Sequence, residues 1–372
     1  MAAKDASAYL FLSLLQAKIG GSLLVRLGEM PVGRVLEEPA DGFARKLGLT
    51  EKAARSFAEL REGFVAEETL DELAREGVRV LTPADEAYPG RVRRAPDPPP
   101  ALFVRGELGG GARVAVVGSR RASPAALETA HRLGRMLAGR GVVLVSGLAA
   151  GVDAAAHEGA LAGGGRTVGV LGCGVDVVYP RSNRELFGRI GSTGALVSEY
   201  SLGERPLAWR FPARNRIIAG LSDAVVVVEA PEKSGSLITA RHALDAGRDV
   251  WAVPGPLGAA GCRGSNRLLA DGAGVLWDLD EFVDGVAEAA GAGAVAPPIP
   301  QEVLAPQEPP AELPEGEAEV LRGLDFRSAG ADVVAGRTGI EMRAVLSSLT
   351  MLELKGYVAR DAAGNFARRA LP

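Results

Sequence analysis

The chain has 372 residues, 47% of them hydrophobic and 24% charged, with a net charge of −4. It is longer than one ordinary domain and apolar enough for a packed core, yet it has no uncharged apolar run of 18 residues to cross a membrane. Cys173 and Cys262 are too few for a disulfide framework and lack metal-ligand spacing, and Met1-Ala2-Ala3-Lys4-Asp5 does not open like a signal peptide, so a reducing cytoplasm is expected.

Residues 6–78 read as helical. Tyr9, Leu10, Leu12, Leu14 and Leu15 give an apolar helix, interrupted by Lys18-Ile19-Gly20-Gly21-Ser22 before Leu23, Leu24, Val25 and Leu27. Such a break is a tight interhelical turn or a helix-hairpin-helix whose turn amides meet a phosphate. The tight turn is the simpler reading, because glycine supplies backbone freedom there whatever the role. Further helices are predicted over 43–48, 51–62 and 68–76. Residues 78–105 switch to strand and turn chemistry, with Val78-Arg79-Val80-Leu81, prolines at 98–100 and Leu102-Phe103-Val104.

From Arg113 onward strands and helices alternate. Apolar β-branched runs at 113–118, 141–146, 167–171, 194–198, 224–230 and 249–253 are separated by helical stretches near 124–139, 153–163, 182–190, 212–221, 234–247 and 264–271. Runs apolar on both faces, such as Ala224-Val225-Val226-Val227-Val228, predict parallel strands covered by helices, so the fold class is α/β with a Rossmann-like, doubly wound, mostly parallel sheet. Residues 287–316 are rich in Pro, Glu and Ala, carry no Lys or Arg, and read as a linker. Beyond it, helix 317–323, Ala331–Arg337, a Thr338-Gly339 turn, helix Ile340–Lys355 and a hairpin around Asp361…Gly364-Asn365 outline a winged helix. The predicted domains are therefore 1–78 (helical, SAM- or helix-hairpin-helix-like), 79–286 (Rossmann-like), the linker 287–316, and 317–372 (winged-helix-like).

In an open parallel sheet, ligands sit beyond the carboxyl ends of the strands. Those ends hold Gly118-Ser119-Arg120, Ser146-Gly147-Leu148-Ala149 and Gly172-Cys173-Gly174. Phe211-Pro212-Ala213-Arg214-Asn215-Arg216, Lys233-Ser234-Gly235-Ser236 and Gly264-Ser265-Asn266 open helices on the same side. Small residues expose backbone amides, serines donate hydroxyl hydrogens, and helix N-termini add partial positive charge. Arg120, Arg214 and Lys233 add full charges, so several loops together suit a polyphosphate strand. Arginines cluster at these motifs while the acidic excess sits in the linker region, which predicts a local basic pocket on an acidic protein.

Other residues read more plainly. Phe211 and Trp209 suit base stacking or core packing equally. His131, His157 and His242 lack metal-ligand spacing, Cys173 is a small apolar filler, and Asp153 and Asp223 are helix-cap candidates. Gly172-Cys173-Gly174 has Val177 where a dinucleotide fingerprint needs its third glycine. No metal or cofactor is expected.

Taken together these loops resemble the DNA-processing protein DprA (Smf) family. The resemblance rests on Leu81-Thr82-Pro83-x-Asp85-x-x-Tyr88-Pro89, Val117-Gly118-Ser119-Arg120, Ser146-Gly147-Leu148-Ala149-x-Gly151-Val152-Asp153 and Leu171-Gly172-x-Gly174-x-Asp176-x-x-Tyr179-Pro180-x-x-Asn183. Phe211-Pro212-x-Arg214-Asn215-Arg216, Lys233-Ser234-Gly235-Ser236 and Ala252-Val253-Pro254-Gly255 complete the series, over roughly residues 80–280. It implies a non-catalytic, dimeric single-stranded DNA binder that loads RecA onto incoming DNA in natural transformation. It also implies DNA contacts from Ser119, Arg120, Phe211, Arg214, Asn215, Lys233, Ser234, Gly235, Ser236 and Asn266, to which the strand-end reading adds Gly118, Ser146 and Gly147 as DNA-binding candidates.

Two alternatives stand beside it. A nucleotide phosphoribohydrolase of the lysine-decarboxylase-like group has a similar sheet, but its Pro-Gly-Gly-x-Gly-Thr-x-x-Glu loop is replaced here by Lys233-Ser234-Gly235-Ser236, without the acidic residue. The C-terminal module is a candidate duplex-DNA contact, although eight basic residues face five acidic ones over 321–372 and helix 340–355 balances Arg343 and Lys355 against Glu341 and Glu353.

Overall fold

The structure is a computed structural model that describes residues 2–289, 313–324, 329–360 and 365–368. Most of the expected linker and the tip of the expected hairpin turn therefore lie outside the described residues.

Six helices come first: α1 (Ala2–Ile19), α2 (Leu23–Leu27), α3 (Arg34–Glu37), α4 (Ala40–Lys46), α5 (Glu51–Glu62) and α6 (Ala66–Arg75). They enclose a core of their own around Phe11, Leu12, Leu15, Phe43 and Phe57, with Phe11 edge-on to Phe57 at 5.4 Å. Gly20 and Gly21 both adopt positive φ, 71° and 84°, and Gln16 Oε1 accepts the Leu23 amide across the break. The α1–α2 connection is thus a tight turn held by a side chain.

The central sheet is built from β1 (Val78–Leu81), β2 (Leu102–Gly106), β3 (Arg113–Val117), β4 (Val143–Ser146), β5 (Thr167–Leu171), β6 (Ala195–Ser198), β7 (Ala224–Val227), β8 (Asp249–Ala252) and β9 (Gly274–Val275). Their order is β1-β2-β6-β5-β4-β3-β7-β8-β9; β1–β2 and β2–β6 pair antiparallel, and the rest pair parallel. The helices are α7 (Gly90–Arg93), α8 (Pro124–Gly139), α9 (Val152–Ala162), α10 (Arg184–Thr193), α11 (Arg210–Leu221), α12 (Gly235–Asp245), α13 (Arg263–Ala270) and α14 (Leu279–Ala289). The strands β4 to β7 are buried on both faces, the reason their runs lack polar alternation. One core packs α11 and α12 on the sheet, and another packs α8, α9 and α14 on the opposite face. At roughly 1.5–3 kcal/mol per buried large aliphatic side chain, these two layers dominate the stability of the domain.

Three features lay beyond the sequence reading: the short α7 inside the proline-rich connector, the edge strand β9, and α14, which carries the chain to Ala289, past the expected boundary at 286. The C-terminal module comprises α15 (Glu315–Arg322), α16 (Ala331–Thr338), α17 (Met342–Leu354) and the antiparallel pair β10 (Val358–Arg360) and β11 (Phe366–Arg368). Val320, Leu321, Val334, Val345, Leu349, Leu352 and Phe366 form its core. Gly339, at φ 71°, ends α16 in a left-handed cap at the expected Thr338-Gly339 turn.

Candidate nucleic-acid interface

Strand order reverses direction between β3 and β7, so the carboxyl ends of these strands flank the switch point where open α/β sheets take ligands. At that rim the β3–α8 loop, the β4–α9 loop and the start of α11 converge on a pocket of about 100 Å³, lined by Arg120, Gly147, Leu148, Tyr179, Phe211 and Arg214 among others. Arg120 is exposed, and its guanidinium lies 5.5 Å from the centroid of the Phe211 ring. Tyr179 stands 5.2 Å from the same ring, tilted by 34°. Beneath it is Gly172, where a Cβ would lie 3.1 Å from Phe211 Cδ1. The glycine of the third strand end therefore seats an aromatic ring.

Arg214 is the buried floor of the pocket, 4% exposed. Its guanidinium donates to the Gly147 carbonyl at 2.7 Å, to the Val170 carbonyl and to Asn215 Oδ1. Burial pulls its pKa down to about 10 against the opposing charge of Asp153, with Arg120 adding repulsion. It stays a cation at neutral pH. Asp153 is buried; burial raises its pKa, and Arg214 and the amides of Ala149 and Gly147 oppose that rise. The Asp153 carboxylate accepts the Gly147 amide at 3.1 Å and the Ala149 amide at 3.5 Å. This corrects two expectations. Asp153 clamps the preceding loop rather than capping a helix, and two amides of the 146–149 loop point inward to it instead of outward to a ligand. Leu148, between them, is the only non-glycine with positive φ among the described residues, at 55°.

The other predicted residues divide. Gly118 lies against Val152, and Ser119 Oγ accepts the Arg121 amide while the Ser119 amide donates to Glu229. Ser146 is wholly buried and donates to the Val116 carbonyl at 2.6 Å, so its hydroxyl holds β4 to β3 and does not reach the pocket. Asn215 Nδ2 donates to Gly235 O at 3.0 Å, joining α11 to the start of α12. Lys233 and Gly235 are exposed there, and the Ser234 and Ser236 hydroxyls bond each other at 2.7 Å. Asn266 bonds both backbone groups of Gly255 and lies outside the pocket lining. Among the described residues, neither Arg120 nor Lys233 forms an ion pair.

The arginines of α11 are not one cluster. Arg216 meets Glu199 through two nitrogens at 2.8 and 2.7 Å and Asp97 at 2.9 Å; burial lowers its pKa, but Glu199 and then Asp97 more than offset this and leave it raised. Arg210 pairs with Glu204 at 2.8 Å, donates to the Ala17 carbonyl and stacks on Tyr200 at 4.3 Å. Both are structural ties toward the N-terminal helices, not free charges. Tyr179 was the residue missed: its signal was an aromatic before Pro180 at a strand end, which also reads as a simple turn.

Residues 79–287 match the family described as DNA recombination-mediator protein A, and residues 304–364 match its winged helix domain. The chain belongs to the DNA recombination-mediator protein A family. It is 33% identical over 334 residues to Protein Smf of Synechocystis, covering 81% of this chain and 82% of that one, and 41% identical over 288 residues to Protein Smf of Escherichia coli, covering 75% of each. Among solved structures it is similar to DNA processing protein A of Streptococcus pneumoniae, with a TM-score of 0.64 and 32% identity over 74% of this chain and 97% of that one. The Helicobacter pylori DNA processing protein A, solved to describe its single-stranded DNA binding mode, aligns with a TM-score of 0.52 and 32% identity over 57% of this chain and 97% of that one. The family's winged-helix match agrees with the helix-and-hairpin outline of the C-terminal module.

Proposed function

We propose that this protein binds single-stranded DNA along the carboxyl-end rim of its sheet, without cutting it, and delivers the strand to a recombinase of the RecA type as a homodimer during natural transformation. The observation that carries the binding step is the convergence of exposed Arg120, the Phe211 and Tyr179 rings and buried Arg214 in one pocket at the switch point. Cations placed beside stackable rings hold a phosphate and its base together, a combination that favours splayed single strands over stacked duplex. Lys233, at the start of α12 and tied to α11 through Asn215 and Gly235, extends the positive track for a following phosphate. The likeness to the Helicobacter pylori protein supports the choice of ligand, and family membership supports the recombinase and dimer readings.

The hydrolase alternative finds little support. The described lining of the pocket contains no carboxylate, imidazole or thiol, and the three buried acids among the described residues are engaged, Asp153 by amides, Glu199 by Arg216 and Glu229 by Ser123. Base release from nucleoside monophosphates would restore that reading. In the C-terminal module, α17 exposes Met342, Leu346, Met351 and Leu354, apolar surface that suits protein contact better than duplex phosphate. Gel shifts of the full chain with matched single-stranded and duplex probes test the proposal: single strands are retained and Arg120→Ala together with Lys233→Ala releases them. Equal retention by the double variant removes the pocket from the account.

A further inference from the structure

A cavity larger than the Arg120 pocket lies at the other end of the strands. Its volume is about 680 Å³, within the range of specific binding sites, and Ala112, Ala224 and Asp249 place it at the amino ends of β3, β7 and β8. It is separated from the Arg120 pocket by the strand length, roughly 15 Å.

Its chemistry differs from that pocket in sign. The apolar floor is Trp251 packed edge-on to Phe282 at 5.2 Å, and Trp277 stands at the mouth with 72% of its surface exposed. Glu281 and Gly285, four residues apart on α14, share the face turned to the cavity, and the glycine leaves it open. Asp249, Asp278 and Glu281 line it as acids without an ion pair among the described residues. The remaining lining acid, Asp223, is already bonded to Arg91 and to the Arg113 amide. Arg91 also lines the cavity but is paired with Asp223, and Arg113 and Arg248 lie beside Asp223 outside the lining, so the negative charge left without an ion pair rests on Asp249, Asp278 and Glu281.

An aromatic floor rimmed by carboxylates selects cations that have planar faces. Guanidinium stacks on indole and donates two parallel hydrogen bonds to a carboxylate, which ammonium does not. An exposed tryptophan beside a well-formed groove is also the residue type that anchors protein interfaces. We propose that this groove docks an arginine-bearing segment of a partner protein, at the sheet rim opposite the DNA pocket, so that strand and partner are held at once.

The test uses the full chain and a labelled hexa-arginine peptide followed by fluorescence anisotropy. Trp277→Ala, and separately the pair Asp249→Asn and Glu281→Gln, weaken peptide binding at least tenfold, while hexa-lysine binds the unaltered chain at least threefold more weakly than hexa-arginine. These side chains are exposed or half-buried at the rim, so folding is retained, and oligo(dT) affinity measured without peptide stays within twofold. The control pair Glu67→Gln and Glu68→Gln removes the same charge from exposed positions on α6 and leaves peptide binding within twofold. Equal weakening by the control pair would reduce the effect to overall acidity and overturn the proposal. Unchanged binding in the groove variants would overturn it too, as would a loss of dimer mass by sedimentation in Trp277→Ala with peptide affinity preserved, which assigns the groove to a second copy of this chain.

Discussion

Gly147 and Arg214 approach so closely that no side chain fits between them: a Cβ on Gly147 would lie 2.5 Å from Nη2 of Arg214, whose Nη1 already bonds the Gly147 carbonyl. Arg214 is buried, so the guanidinium has nowhere to retreat. Gly147→Ala should cost about 1–3 kcal/mol of stability from the overlap. It should also weaken single-strand binding about tenfold by displacing the charge. Urea unfolding and anisotropy on the same preparation check both.

Phe211 and Tyr179 carry the base-facing part of the account. Phe211→Ala should cost about 1–3 kcal/mol of single-strand affinity, the usual worth of one base stacked on an aromatic ring. Tyr179→Ala should cost less, because the Phe211 ring remains over Gly172. Titration calorimetry with oligo(dT) measures both, and Trp209→Ala, outside the pocket lining, serves as the reference with no loss.

Glu199 ties three elements together. Its carboxylate accepts two bonds from Arg216 and one from Gln16 of α1, and its backbone carbonyl accepts from Ser13. Glu199→Ala leaves the buried Arg216 with Asp97 as its remaining carboxylate, so it should destabilise the chain toward the lower end of the roughly 3–5 kcal/mol for breaking a buried pair. Chemical denaturation reads this directly. Any loss of DNA binding should be recovered at temperatures where the variant remains folded.

How much of this was legible in the sequence follows from what each residue sees locally. Strand and helix order could be read because β4 to β7 are buried on both faces, so that 224–228 stands out as an unbroken apolar run. The rim was legible through the strand-end rule, which found Arg120, Gly147, Phe211 and Arg214. What stayed hidden is the partner of each charge. Arg210, Arg214 and Arg216 lie within seven residues of α11, yet Arg210 and Arg216 go to Glu204 and Glu199 of the β6–α11 connector while Arg214 goes to Gly147 of the β4–α9 loop. Nor does sequence distinguish an Asp153 that caps a helix from one that turns loop amides inward, because both need an acid near a helix start.

His157 is wholly buried, with Nδ1 2.7 Å from the Thr167 hydroxyl, which itself donates to the Leu144 carbonyl. Burial, assisted by Arg214, lowers its pKa to about 3. The folded state therefore keeps the ring neutral while the unfolded chain takes up a proton below about 6.5. Stability from this group is full above that pH and falls by about 1.4 kcal/mol per unit as pH drops toward 3. Urea midpoints at pH 7 and pH 5 should show the decline, and His157→Asn should start lower but flatten it.

In the binding mode we propose, Arg120 and the rings beside it grip the strand at the carboxyl-end rim. Anisotropy of labelled oligo(dT) across a salt series, for the unaltered chain and Arg120→Ala, tests this most directly. Affinity should be about tenfold weaker for the variant and the log–log salt slope shallower by about 0.7, the loss of one phosphate contact on a single strand. Identical affinity and identical slope for the two proteins would contradict it.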